Sequence, residues 1–170
     1  RAALELAKAE LAKAKPTLKE MDEWIADNRV GEVPHPPELG GWQFLGSFSA
    51  KDSNEAFNKD FGPEKRVDLK KEYGGKKWEA RKYEDGKVHT IGLPEKSASY
   101  FYRTVKSPNA QKVGVSLGSD DGIKVFLNGK QILANNANRG PAADQEKTEL
   151  ELAKGDNHLL IKIVNNGGQG

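Results

Sequence analysis

From Gly41 onward, apolar and polar residues alternate in short runs broken by clusters of Gly, Asn, Asp and Pro. A period of two belongs to half-buried strands. The runs predict strands over 42–48, 77–83, 88–93, 99–106, 112–117, 123–127, 131–134, 148–152 and 158–164, with Val113, Val115 and Leu117 sharing one face of the fifth. No helical period intervenes. The predicted fold is therefore all-β, an antiparallel β-sandwich of jelly-roll type occupying 41–170. The stretch 53–73 lacks either period and reads as an irregular excursion anchored by Phe57 and Phe61.

One hairpin can be worked out in detail. Asn128 and Gly129 form a two-residue turn signal, because both positions tolerate positive φ. Centring the turn there pairs Leu127 with Lys130, Val125 with Ile132, and Ile123 with Ala134. Those side chains share one sheet face, while Lys124 and Phe126 point to the other.

Ahead of the strands the pattern changes. Residues 1–32 are rich in Ala, Leu, Lys and Glu, all strong helix formers. Leu4, Ala7, Leu11, Ala14, Leu18 and Met21 recur at three- and four-residue steps and give one apolar stripe. Pro16 lacks an amide hydrogen, so it kinks this helix or starts a second one. The prediction is an N-terminal helical linker or spacer docked by Trp24. It ends where Val33, Pro34, His35, Pro36 and Pro37 force extended chain.

Composition narrows the function classes. The net charge is +2 over 170 residues, and the strand pattern shows no dense Lys/Arg patch interleaved with aromatics, so nucleic acid is not indicated as a partner. No run is long enough for a membrane span and no signal peptide is visible. An arginine at position 1 suggests a processed protein or an excised fragment. Cysteine is absent, which excludes thiol catalysis, thiolate metal sites and disulfides. No nucleophile elbow, phosphate-binding loop or dinucleotide fingerprint occurs, and the spacing of the acids selects no glycosidase pair. The expectation is a protein that is not an enzyme.

Two strings carry a resemblance. Gly118 to Lys130 reads Gly-Ser-Asp-Asp-Gly-Ile-Lys-Val-Phe-Leu-Asn-Gly-Lys, and Leu152 to Asn165 reads Leu-Ala-Lys-Gly-Asp-Asn-His-Leu-Leu-Ile-Lys-Ile-Val-Asn. Together they resemble the galactose-binding-like jelly-roll modules, among them accessory domains of extracellular glycoside hydrolases. The strings Phe61-Gly62-Pro63-Glu64 and Trp78-x-x-Arg81-x-x-x-Asp85-Gly86 are similar to domains of planctomycete surface or periplasmic proteins that carry cytochrome c segments. The resemblance implies a non-catalytic, carbohydrate-binding-like module of a larger secreted, cell-surface or periplasmic protein. Its partners would be a polysaccharide or oligosaccharide and the flanking domains of the same polypeptide. The alternative is a structural or protein-interaction spacer with no glycan ligand. No Cys-x-x-Cys-His occurs, so no haem belongs to this chain.

The candidate ligand-binding residues are Trp78, Arg81, Tyr83, Asp120, Asp121 and Asn128. A sugar face needs a flat aromatic flanked by polar groups, and Trp78, Arg81 and Tyr83 supply that mixture. Strand alternation, however, puts Trp78 on one face and Arg81 with Tyr83 on the other. In PA14-type lectin sandwiches, which the chain also resembles, an adjacent Asp pair holds calcium and sugar hydroxyls. That resemblance makes Asp120 and Asp121 candidate calcium ligands. The plain reading of Ser119-Asp120-Asp121-Gly122 is turn chemistry, with carboxylates capping loop amides.

Overall fold

The computed structural model describes residues 35–168. The predicted helical linker, with Pro16 and Trp24, lies outside them. Nine strands and one short helix follow in the order β1 (Glu38–Leu39), β2 (Trp42–Ser49), α1 (Ser53–Asn58), β3 (Glu79–Arg81), β4 (Ser97–Ser107), β5 (Gln111–Leu117), β6 (Gly122–Leu127), β7 (Lys130–Asn135), β8 (Glu146–Leu152) and β9 (Gly155–Asn165). A seven-stranded antiparallel sheet runs β3-β2-β4-β9-β6-β7, with β1 added on β4, and β5 pairs with β8 in a separate ribbon. The architecture is an antiparallel β-sandwich of unequal sheets.

Both faces of the large sheet are covered, so its central strands bury residues on each side. All six residues of β6 are buried. Ile123, Val125 and Leu127 join Phe44, Phe101, Val105, Leu159 and Ile161 in a core closed by the β5–β8 ribbon through Val113, Val115, Leu117, Leu150 and Leu152. On the opposite face, Leu45, Phe48, Tyr100, Tyr102, Phe126 and Leu160 form a second core beneath the excursion, which contributes Phe61, Val67, Tyr73 and Trp78. The excursion contains the six-residue helix α1, whose N-cap Asp52 accepts the Glu55 amide at 2.8 Å.

Two irregularities let apolar residues face inward where strict alternation would turn them out. At Gly46 and Ser47 the β2–β4 register shifts, so Leu45 and Phe48 reach the same core. Gly46 sits at φ +149, and a Cβ there would lie 2.7 Å from Ser99 Oγ. In the β6–β7 hairpin, Leu127 pairs with Lys130 as predicted, and Asn128 and Gly129 take φ +52 and +81. A bulge then intervenes. Val125 pairs with Leu133 and Ile123 with Asn135, not with Ile132 and Ala134. The extra residue lets both Ile132 and Leu133 pack on the first core. The predicted strand 88–93 is absent; the segment is a loop that delivers Ile91 and Leu93 to that core. The predicted strand 77–83 shrinks to the three residues of β3.

Candidate functional site

The corner at Ser119 to Asp121 joins three chain segments. Asp121 is 3% exposed, and its two carboxylate oxygens accept the backbone amides of Arg139 at 2.8 Å and Asn166 at 2.7 Å. Its own amide donates to Val164 O at 3.0 Å, and its carbonyl accepts from Ser119 Oγ at 2.8 Å. Arg139 then reaches across, donating from Nη2 to Ser119 Oγ at 3.0 Å and from Nη1 to Glu146 Oε1 at 2.7 Å. Asn135 Nδ2 also donates to Glu146 Oε1, at 2.6 Å, and these two donors hold the Glu146 carboxyl below its usual range. Gln145 closes the ring by accepting the Ser119 amide at 2.9 Å. The loops before β6, after β7 and after β9 are thus tied to one buried carboxylate.

Asp120 is different. It accepts no hydrogen bond from the described residues, and its carboxyl is pushed up by partial burial and by the neighbouring Asp121 charge. Two buried polar atoms, Arg139 Nε and Asn166 Oδ1, are also without a partner. Both belong to residues whose amides bind Asp121. The residues of the corner thus hold an unpaired carboxylate, an unpaired N–H donor and an unpaired amide oxygen, groups of the kind that a hydroxyl pair or a bridging water satisfies.

Calcium fits this corner poorly. The ion needs six to eight oxygens, yet both Asp121 oxygens already serve as amide acceptors and a guanidinium stands in the corner. Among the described residues no group of three or more His, Asp or Glu is placed to hold a metal.

The other predicted site residues are dispersed. Trp78 lies in the second core, edge-on to Tyr73 and Tyr102 at centroid distances of 6.4 and 5.9 Å. Tyr83 lies on the opposite sheet face against Phe101 at 5.8 Å, and burial pushes its hydroxyl up. Arg81 is exposed there, over the Phe44 ring and paired with Glu79 at 2.7 Å. The sheet itself separates Trp78 from Arg81 and Tyr83. Asn128 is spent on the hairpin: Nδ2 donates to Asn157 Oδ1 at 2.9 Å, and Oδ1 accepts the His158 amide at 2.8 Å.

Two further constellations escape a reading of strand period alone. Trp42, half-buried at the β2 edge, carries the Arg103 guanidinium 4.4 Å over its ring, and both donate to Asp85 Oδ1. The Arg103 contact holds the Asp85 carboxyl below its usual range. Lys162 is fully buried, and its ammonium donates to Phe57 O at 3.0 Å, Lys59 O at 2.7 Å and Glu64 Oε1 at 2.8 Å. Tyr100 Oη donates to the same Glu64 oxygen at 2.8 Å. Desolvation pulls Lys162 down and pushes the Tyr100 hydroxyl far up. All three ammonium hydrogens are used, so this cluster pins the excursion and leaves no group for chemistry. Its sequence signal was present in the Phe-Gly-Pro-Glu string and the Lys of the last strand, which meet here.

No known protein family matches the sequence, and no curated protein matches it. Among solved structures the chain is similar to part of a β-glucuronidase from Faecalibacterium prausnitzii, at 19% identity and TM-score 0.43, covering 78% of this chain and 22% of that one. It is also similar to part of an uncultured Clostridium sp. β-glucuronidase, at 12% identity and TM-score 0.42, covering 79% and 23%. The chain thus spans less than a quarter of either enzyme, and a likeness this distant carries no functional argument. Neither match supports the planctomycete part of the resemblance.

Proposed function

We propose that the chain is a non-catalytic, carbohydrate-binding-like module of a larger polypeptide, and that sugar hydroxyls dock at the Asp120 corner. One observation supports the reading. Asp120 accepts no hydrogen bond from the described residues, and Arg139 and Asn166, whose amides fix the adjacent Asp121, each hold a buried polar atom that lacks a partner. Buried polar groups without partners are costly, and a vicinal diol supplies both a donor and an acceptor. Isothermal titration of the folded chain against a panel of neutral polysaccharides tests this. Binding that disappears in Asp120→Ala, with the melting temperature kept, is the expected result. Unchanged binding in that variant overturns the proposed site.

The second reading is a structural or protein-interaction spacer. It is favoured by the use of Trp78 and Tyr83 in packing, which leaves neither as a flat stacking surface for a pyranose. A folded domain that binds no glycan on the panel is the outcome this reading expects.

A further inference from the structure

Charge is distributed unevenly along this chain. Residues 65–82 contain eight Lys or Arg and three Asp or Glu, a net of +5 against +2 for the whole protein, so the remainder sums to −3. The whole-chain charge of +2 hides this run and its interleaved Val67, Tyr73 and Trp78, which corrects the expectation of no dense basic patch. The structure separates the two kinds. Val67, Tyr73 and Trp78 turn inward onto the second core. Lys65, Arg66, Lys70, Lys71 and Lys77 of this layer are exposed, whereas Arg81 of the edge strand that follows lies over Phe44 on the other face of the sheet.

The layer is held in shape by two tight turns. Lys71 N donates to Asp68 O at 3.2 Å, and Tyr73 and Lys76 exchange both backbone hydrogen bonds across Gly74 and Gly75. The Tyr73 hydroxyl accepts the Asp68 amide at 3.0 Å, tying one turn to the other. Two of the eight cations are paired, with Glu72 and Glu79. Among the described residues, Lys65, Arg66, Lys70, Lys71, Lys76 and Lys82 have no ion-pair partner, and all but Lys76 are exposed. Unpaired like charges crowded into one short segment create a positive potential that a polyanion relieves.

We infer that the outer surface of the 65–77 layer is a docking face for an anionic polysaccharide bearing carboxylate or sulfate groups. The choice of polymer rests on the carbohydrate reading above; the surface itself is distinct from the Asp120 corner. A single-stranded nucleic acid fits less well, because such ligands stack on aromatic side chains, and here Tyr73 is 4% exposed while Trp78 is packed between Tyr73 and Tyr102. A membrane surface fits less well, since Leu69 is the one large apolar side chain of the layer among the exposed ones.

The test is binding of the full 170-residue chain to alginate, dextran sulfate, neutral dextran, poly(dT) and phosphatidylserine vesicles over a salt series. Alginate or dextran sulfate binds at low salt, dextran does not compete, and affinity falls steeply as the screening length shrinks from about 10 Å at 0.1 M to about 3 Å at 1 M. The double variants Lys65→Glu/Arg66→Glu and Lys70→Glu/Lys71→Glu each lose roughly tenfold or more in affinity. The control Lys147→Glu/Lys154→Glu, with the same change in net charge, and Asp120→Ala both retain it. The inference is overturned if neither acidic polymer binds, if the control loses as much as the test variants, or if poly(dT) or the vesicles bind more tightly than both acidic polymers. Loss of neutral-glycan binding in Asp120→Ala alone bears on the corner and leaves this surface untouched.

Discussion

Replacing Lys162 by alanine removes the pin between the central strand β9 and the excursion. The ammonium is fully buried and donates to two main-chain carbonyls of the α1 exit, Phe57 O and Lys59 O, and to Glu64. Without it, the Glu64 carboxylate, 11% exposed, keeps only Tyr100 as a described donor. Breaking a buried ion pair from one side costs about 3–5 kcal/mol, because the remaining charge stays desolvated and unpaired. For a domain of this size each kcal/mol lowers Tm by about 2–4 °C, so the expected fall is roughly 6–20 °C. Thermal melts followed by circular dichroism read the fall. Hydrogen exchange should show the Phe61 amide, which donates to Tyr100 Oη at 3.2 Å, opening ahead of the sheet. The double variant Lys162→Leu/Glu64→Leu, with both charges removed, recovers at least half the loss. A single variant within about 1 kcal/mol of the parent, or a double variant no better than the single, refutes the pin.

Asp121→Ala leaves the buried amides of Arg139 and Asn166 without an acceptor and costs about 2–4 kcal/mol, whereas Asp120→Asn removes a like charge and leaves stability at pH 7 equal or higher; urea unfolding at fixed pH compares the two. Calcium against chelator should not move the melting temperature of the parent, and a rise on adding calcium would restore the Asp pair as a metal site. Tyr100 gives an alkaline signature: its folded pKa is raised, so its stabilisation is complete below the ordinary tyrosine value of 10.0 and is lost as pH climbs beyond it. Lys162, with a lowered pKa, acts in the opposite sense over part of that range. The difference in unfolding free energy between the parent and Tyr100→Phe therefore isolates the tyrosine, and should shrink from pH 9 to pH 11.

Strand period identified most of the sheet because β4 and β6 each bury at least one complete face and β5 alternates half-buried with exposed positions. The Asn128–Gly129 turn was legible from two residues whose backbone conformation is local. Its register beyond Leu127 was not, because the bulge at Ile132 answers to the shape of a core assembled from six other segments. The same cause explains the loop at 88–93. Ile91 and Leu93 are core residues, but no neighbouring strand offers a ladder. The candidate aromatics failed to converge for a reason visible in the alternation itself, since Trp78 and Arg81 fall on opposite faces. The Asp pair divided into two roles that sequence could not separate: Asp121 organises the corner, and Asp120 faces outward from it. The pairing of Lys162 with Glu64 spans nearly a hundred residues, beyond any local pattern.

The position of β9 in the sheet has a consequence for the order of assembly. It lies between β4 and β6, and its eleven rungs with β4 join residues 48 to 68 positions apart. The β3-β2-β4 and β6-β7 parts of the large sheet must therefore wait for the last strand to join them. On the ribosome, β4 and β6 emerge with their inner edges unsatisfied and their apolar faces uncovered, and β2 can do no more than protect one side of β4. Such non-local closure is slow, and an unpaired apolar edge held open during synthesis invites pairing with another chain. A nascent chain stalled before Gly155 is thus a form for chaperones rather than a partly folded sandwich.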